Sequence, residues 1–216
     1  MNTYPTLSFP LYPLTFFKSS NFQIDMNFLA HTFLSGDNEG WIVGNFLGDF
    51  LRNKQVQALP QPIRDGVKLH RHIDTFTDQH PAVLQGVRRL YPEHHKYASV
   101  LMDVYYDHLL TQNWAQYSTE PLHEFATRVY DVLLRNTHLM PEPVSQRLQR
   151  MISDNWLSKY GTFEGLDFAF QRMRHYVSAP THLNGAVDSL QRHMPKLQEE
   201  FGVFFPDLIA SIKAFK

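Results

Sequence analysis

His70, Asp74 and Asp78 recur at every fourth position of a segment otherwise rich in Ile, Val and Leu. At 3.6 residues per turn that spacing places all three on one stripe of a helix. Asp103 and Asp107 repeat the pattern among Val100, Leu101, Val104 and Leu109. Asp49 lies between Phe46-Leu47 and Phe50-Leu51, and His31 lies among Leu29, Ala30 and Phe33. Four apolar segments thus each aim a carboxylate or an imidazole at what should be a packed interior. Ionised carboxylates cannot gather there unless a cation neutralises them. A divalent metal does so, and helix-borne His and Asp are a common way to present ligands inside a bundle. Mixed imidazole and carboxylate donors suit Mn²⁺, Fe²⁺ or Zn²⁺ better than Ca²⁺.

Each residue also has a plainer reading. A single helical Asp is most often exposed or a cap, and paired acids often form only a wet face. Asp78, followed by His80 and Pro81, fits a solvated helix end. The wet-face reading is weakest for Asp103 and Asp107, whose neighbours are strongly apolar. His94 and His95, beside Pro92, read as surface histidines in a loop. His123, His138, His175, His182 and His193 are scattered and read as structural or exposed. Trp41, Trp114 and Trp156 read as core.

The elements that must position these side chains are helices, and the expected fold class is all-α, a single-domain helical bundle. Apolar residues at helical spacing predict helices over about 27–35, 41–52, 60–78, 81 onward and 95–114. Pro60, Pro62 and Pro81 suit first turns. Further helices are expected over 121–135, 141–155, 163–178 and 186–216, the last interrupted by Pro195 and Pro206. Residues 1–25, broken by Pro5, Pro10 and Pro13, fit no such period and read as an irregular N-terminal extension. The folded domain is expected over residues 26–216.

Composition narrows the function classes. The chain has 216 residues and no cysteine, which excludes disulfides, zinc–thiolate sites and thiol nucleophiles. Its twelve histidines keep imidazole ligation open. A net charge of −1 argues against a nucleic-acid binder, and no apolar run reaches the length of a membrane span. The N-terminal segment lacks the basic start of a secretory signal, so a cytoplasmic location is expected.

The stretches MNFLAH (26–31), GNFLGDF (44–50), HRHIDTFTD (70–78) and LMDVYYDHLL (101–110) make the sequence resemble the acyl carrier protein phosphodiesterases. That family is regarded as a non-canonical relative of the all-helical HD-type metal phosphohydrolases. The resemblance implies an HD-like bundle and a divalent metal, Mn²⁺ being the family's usual activator. It also implies hydrolysis of the phosphodiester between 4'-phosphopantetheine and a serine of holo acyl carrier protein. The chain departs from the HD pattern in having no His-Asp dipeptide, only the inverse pair Asp107-His108.

Beside that resemblance, His31, Asp49, His70, Asp74 and Asp103 are the expected metal ligands. Asp107 is expected to be a further ligand or a residue that orients one. His108, about 100° around the helix from Asp107, is a plausible proton donor to the leaving serine oxygen. Arg64, Lys68 and Arg71 form a stripe about 90° from the His70 stripe. They suit either a basic rim that steers an acidic carrier protein or an ordinary solvated face. The competing functions are a nucleotide or cyclic-nucleotide phosphohydrolase and a non-catalytic metal-binding bundle.

Overall fold

The computed structural model describes residues 27–215, so the expected extension over residues 1–25 and the boundary at Met26 lie outside it. Twelve α-helices follow in chain order among the described residues. They are α1 (Phe28–Leu34), α2 (Glu39–Leu47), α3 (Asn53–Gln57), α4 (Gln61–Gln79), α5 (Pro81–His94) and α6 (Ala98–Gln112). After them come α7 (Trp114–Tyr117), α8 (Leu122–Arg135), α9 (Glu142–Ser153), α10 (Trp156–Lys159), α11 (Phe163–Arg174) and α12 (Ala186–Phe215). Short 3-10 turns connect some of them, and the described residues contain no strand, so the all-α class is as expected. No helix among them is long and apolar enough to cross a membrane.

Local chemistry sets the helix starts. The Asn38 side chain accepts a hydrogen bond from the Trp41 amide (3.1 Å) and caps α2, as Thr162 caps α11 through Gly165 (3.0 Å). Pro62 and Pro81 occupy first turns, where their missing N–H groups cost nothing. α6 is apolar around most of its circumference, and every residue from Val104 to Leu110 is buried, so it runs through the middle of the bundle. α2 packs along α4, and glycines let the two backbones approach closely. A Cβ on Gly44 would lie 2.0 Å from the Ile63 carbonyl oxygen, and one on Gly40 would lie 2.5 Å from Pro62 Cβ.

Several expected boundaries need correction. α2 stops at Leu47, so Asp49 lies in the turn that follows, and the short α3 has no counterpart in the sequence reading. α12 runs unbroken through Pro195 and Pro206. Both prolines are exposed, so water can reach the carbonyls they strand, while Leu197, Phe201, Phe204, Phe205 and Leu208 hold the helix to the core. His94 is not a surface residue. It is buried at the end of α5, bonded through Nδ1 to the His182 carbonyl (2.7 Å) and through Nε2 to Ser189 Oγ (2.8 Å). The three tryptophans pack into or against the core as expected.

Candidate metal centre

Three helices and one turn converge on a single point. α1 is fastened from beneath by Asp107 of α6. Its carboxylate accepts the Leu29 (3.0 Å) and Ala30 (2.9 Å) amides, two of the four donors that a helix N-terminus leaves unpaired. His31 follows within the next turn and points inward. α2 supplies Asn45, and the turn after it supplies Asp49. α4 supplies His70 and Asp74 on one stripe. Gly48 makes room for His70, because a Cβ there would lie 2.3 Å from the ring's Cγ.

The His31 and His70 rings lie 4.6 Å apart between centroids. Asp74 Oδ1 is 3.4 Å from His31 Nε2, and its Oδ2 is 3.2 Å from His70 Nε2. Asp49 Oδ1 is 3.1 Å from His70 Nε2. These contacts have ion-pair distances, yet both Nε2 atoms are buried without a properly aligned hydrogen-bond partner. Close but misaligned donors are what the edges of a coordination shell look like. Two ligand atoms about 2.1 Å from one ion are separated by about 3.0 Å at right angles and about 3.4 Å at the tetrahedral angle. The His31, His70 and Asp74 donor atoms all fall within 4.8 Å of one another, a group able to hold a metal ion. Asp74 keeps 30% of its side-chain surface exposed against 4% or less for the two histidines, so the centre opens to solvent on the Asp74 side.

The charges respond to this crowding. Burial works to lower the His70 pKa, but the adjacent Asp49 carboxylate, with Asp74 behind it, raises it to about 10. His31 moves the opposite way, lowered by burial and by the neighbouring His70. Asp103, partly buried on α6, is pushed well above the usual carboxylate range by burial and by Asp78, Asp74, Asp107 and Asp49 in turn. Asp78, the penultimate residue of α4 and half-buried, thus sits at the helix end as expected and also contributes to the negative field around Asp103.

The remaining sequence candidates are held by other partners. Asp107 holds the N-terminus of α1, and burial raises its pKa to about 8 against the pull of the two amides. His108 is buried, donates Nδ1–H to the Tyr160 carbonyl (2.7 Å) and lies against Phe163. Burial lowers its pKa, and no charge of the cluster contributes to that shift. Along α4, Lys68 pairs with Asp65 (2.8 Å), Arg64 bonds the Gln61 side chain and the Gln57 carbonyl, and Arg71 bonds Asn53 (2.6 Å).

Sequence reasoning missed Asn45. Its Oδ1 lies 2.7 Å from His31 Nδ1 and 3.2 Å from His70 Nδ1, and its Nδ2 donates to the His31 carbonyl (2.8 Å) and Ser35 Oγ (3.0 Å). The signal was present: an amide within the otherwise apolar run from Trp41 to Leu47, four residues before Asp49.

The sequence matches a family of known proteins. The family model described as acyl carrier protein phosphodiesterase matches residues 26–208. The acyl carrier protein phosphodiesterase of Enterobacter sp. (strain 638) is 32% identical over 87% of this chain and 98% of its own length. Those of Klebsiella pneumoniae (strain 342) and Escherichia coli K12 are each 30% identical, over 85% and 86% of this chain respectively and 96% of their own lengths. No solved structure matches the chain.

Proposed function

Because the chain belongs to the acyl carrier protein phosphodiesterase family, we propose that it hydrolyses the phosphodiester joining 4'-phosphopantetheine to a serine of holo acyl carrier protein. The products are the apo carrier and free 4'-phosphopantetheine. The observation that carries this reading is the convergence of two buried, unsatisfied Nε2 atoms and the Asp74 carboxylate on one point. That donor set suits a divalent transition metal, and Mn²⁺ is the proposed ion.

His31, His70 and Asp74 would hold the ion, with Asp49 and Asp103 completing the acidic side. A bound divalent metal supplies Lewis acidity toward a phosphoryl oxygen and lowers the pKa of bound water toward neutrality. Asp49 and Asp74 spread negative charge around the site, which keeps the imidazoles in place and leaves the exposed Asp74 side for substrate. Asp107 positions His31 by fixing the start of α1. His108 is the proposed proton donor to the leaving serine oxygen through Nε2, since Nδ1 is committed to Tyr160. Burial lowers its pKa below the ordinary histidine value, so this role requires a rate that falls as pH rises through that lowered pKa.

Arg64, Lys68 and Arg71 are proposed to steer the acidic carrier protein toward the site. They lie on α4, the helix that also carries His70 and Asp74. Residues 26–216 would carry this activity, and residues 1–25 would be an extension that precedes it. A cytoplasmic setting and the kinship with HD-type hydrolases belong to the same proposal.

Turnover of holo carrier protein, a small phosphodiester and a cyclic nucleotide, each with chelator and then with Mn²⁺, tests the reading. Metal-dependent release from the carrier protein alone is expected. Preferential turnover of the cyclic nucleotide would replace the function, and full activity of rigorously metal-free protein would remove the metal from it.

A further inference from the structure

We propose that Asn45 is the positioning residue of the metal centre, its one amide oxygen aligning both His31 and His70 as Nε2 ligands of a single ion. This rests on the metal reading above and adds a residue whose loss separates the two. The His31 carbonyl can only accept, so the Asn45 atom 2.8 Å from it is the amide nitrogen. The opposite atom is then Oδ1, which also can only accept. Both imidazole nitrogens that face it, at 2.7 and 3.2 Å, must therefore carry protons. In a neutral ring the Nε2 atom then holds the lone pair, and both Nε2 atoms are the ones left without an aligned partner.

Ser35 completes the device. Its hydroxyl accepts from Asn45 Nδ2 (3.0 Å) and bonds the His31 carbonyl (2.9 Å), so the amide is gripped at both ends. Asn45 and Ser35 are each 1% exposed, and water does not compete for these bonds. The two ligands come from helices 39 residues apart in sequence, α1 and α4, and Asn45 on α2 is the group that both touch. A ligating imidazole commonly rests on a carboxylate or carbonyl partner, and loss of such a partner lowers metal affinity about 10–100-fold. Here one neutral amide serves two rings, so its removal should disturb both ligands together.

Titration of the metal-free full-length protein with Mn²⁺ alone, followed by calorimetry, tests the proposal. Asn45→Leu keeps similar volume and removes the acceptor, and it should weaken Mn²⁺ binding by at least tenfold with helicity retained. Asn45→Asp keeps an acceptor oxygen toward both rings and, protonated on its other oxygen, can still donate to the His31 carbonyl, so it should recover affinity to within about threefold of wild type. Equal affinity in the wild type and Asn45→Leu would overturn the role of Asn45 and leave the metal centre standing, as would equal losses in both variants. A wild-type protein that takes up no Mn²⁺ would overturn the metal reading itself. Should Asn45→Leu not fold, nitrogen-detected NMR of the wild-type protein with Zn²⁺ decides the matter. Protonated Nδ1 and metal-shifted Nε2 in both rings are expected, and a metal-bound Nδ1 in either ring would refute the proposal.

Discussion

Replacing Gly48 with alanine should damage the centre without touching a ligand. Gly48 has ordinary helical backbone angles (φ −54°, ψ −35°), so the substitution meets no backbone strain. The obstacle is His70, because the added carbon would lie 2.3 Å from Cγ, 2.5 Å from Cδ2 and 2.8 Å from Cβ. Carbon atoms pack comfortably at about 3.5–4.0 Å, so the ring must retreat by about 1 Å. Metal sites tolerate displacements of about 0.2 Å, and His70 cannot swing freely because it is 1% exposed. Removing glycine's backbone freedom returns about 0.5–1 kcal/mol, and overpacking costs about 1–3 kcal/mol. The net effect on stability is then a loss of at most about 2.5 kcal/mol, small enough for the fold to survive. The effect on the site is larger, with Mn²⁺ affinity reduced at least tenfold and kcat/KM reduced about 100-fold. Calorimetric titration and steady-state rates, with circular dichroism as a check on the fold, measure all three. Native metal affinity together with a rate within twofold of wild type would refute the steric reasoning.

Three other outcomes follow from the same geometry. Asp49→Ala, His70→Ala and Asp103→Ala should each lower the rate by orders of magnitude while the fold persists; near-normal rates in two of the three at confirmed metal occupancy would mean that the site lies elsewhere. Metal-free His70, with its pKa raised to about 10, is protonated at neutral pH and must lose that proton to become a ligand, whereas His31, with its pKa lowered, is already neutral. Calorimetry in buffers of differing ionisation enthalpy should therefore show about one proton released per ion and an affinity that climbs with pH up to the His70 pKa; buffer-independent heats would contradict this. The paired reversal Arg64→Glu and Lys68→Glu should lower kcat/KM for the carrier protein and flatten its salt dependence, while a small phosphodiester is indifferent; an unchanged salt response would make the stripe a solvated face.

The sequence exposes this centre to the extent that its chemistry contrasts with its surroundings. His31, Asp49, His70 and Asp74 stand out as ionisable groups within apolar periods, and the structure brings the four together. Asp107 gives the same one-dimensional signal, a carboxylate among Val, Tyr and Leu, but its partners are the amides of Leu29 and Ala30. Nothing in sequence spacing separates a buried acid that caps a distant helix from one that faces a metal, because the deciding contact spans 77 or 78 residues. Asn45 carries no charge, and an isolated amide in an apolar helix attracts less notice than a carboxylate. α12 shows the converse limit: proline signals a helix break locally, yet exposed prolines within a helix anchored by Phe201, Phe204 and Phe205 leave it continuous. The close approach of α2 to α4 is written in Gly40, Gly44 and Gly66, but its consequence for His70 at Gly48 appears only when the helices are set side by side.

The most direct test of the function is the intact mass of holo acyl carrier protein before and after incubation with the purified protein and Mn²⁺. Conversion of the carrier to its apo mass, with free 4'-phosphopantetheine recovered and both changes blocked by chelator, is the predicted result. A carrier protein that keeps its holo mass when the Mn²⁺ site is shown to be filled would contradict the account.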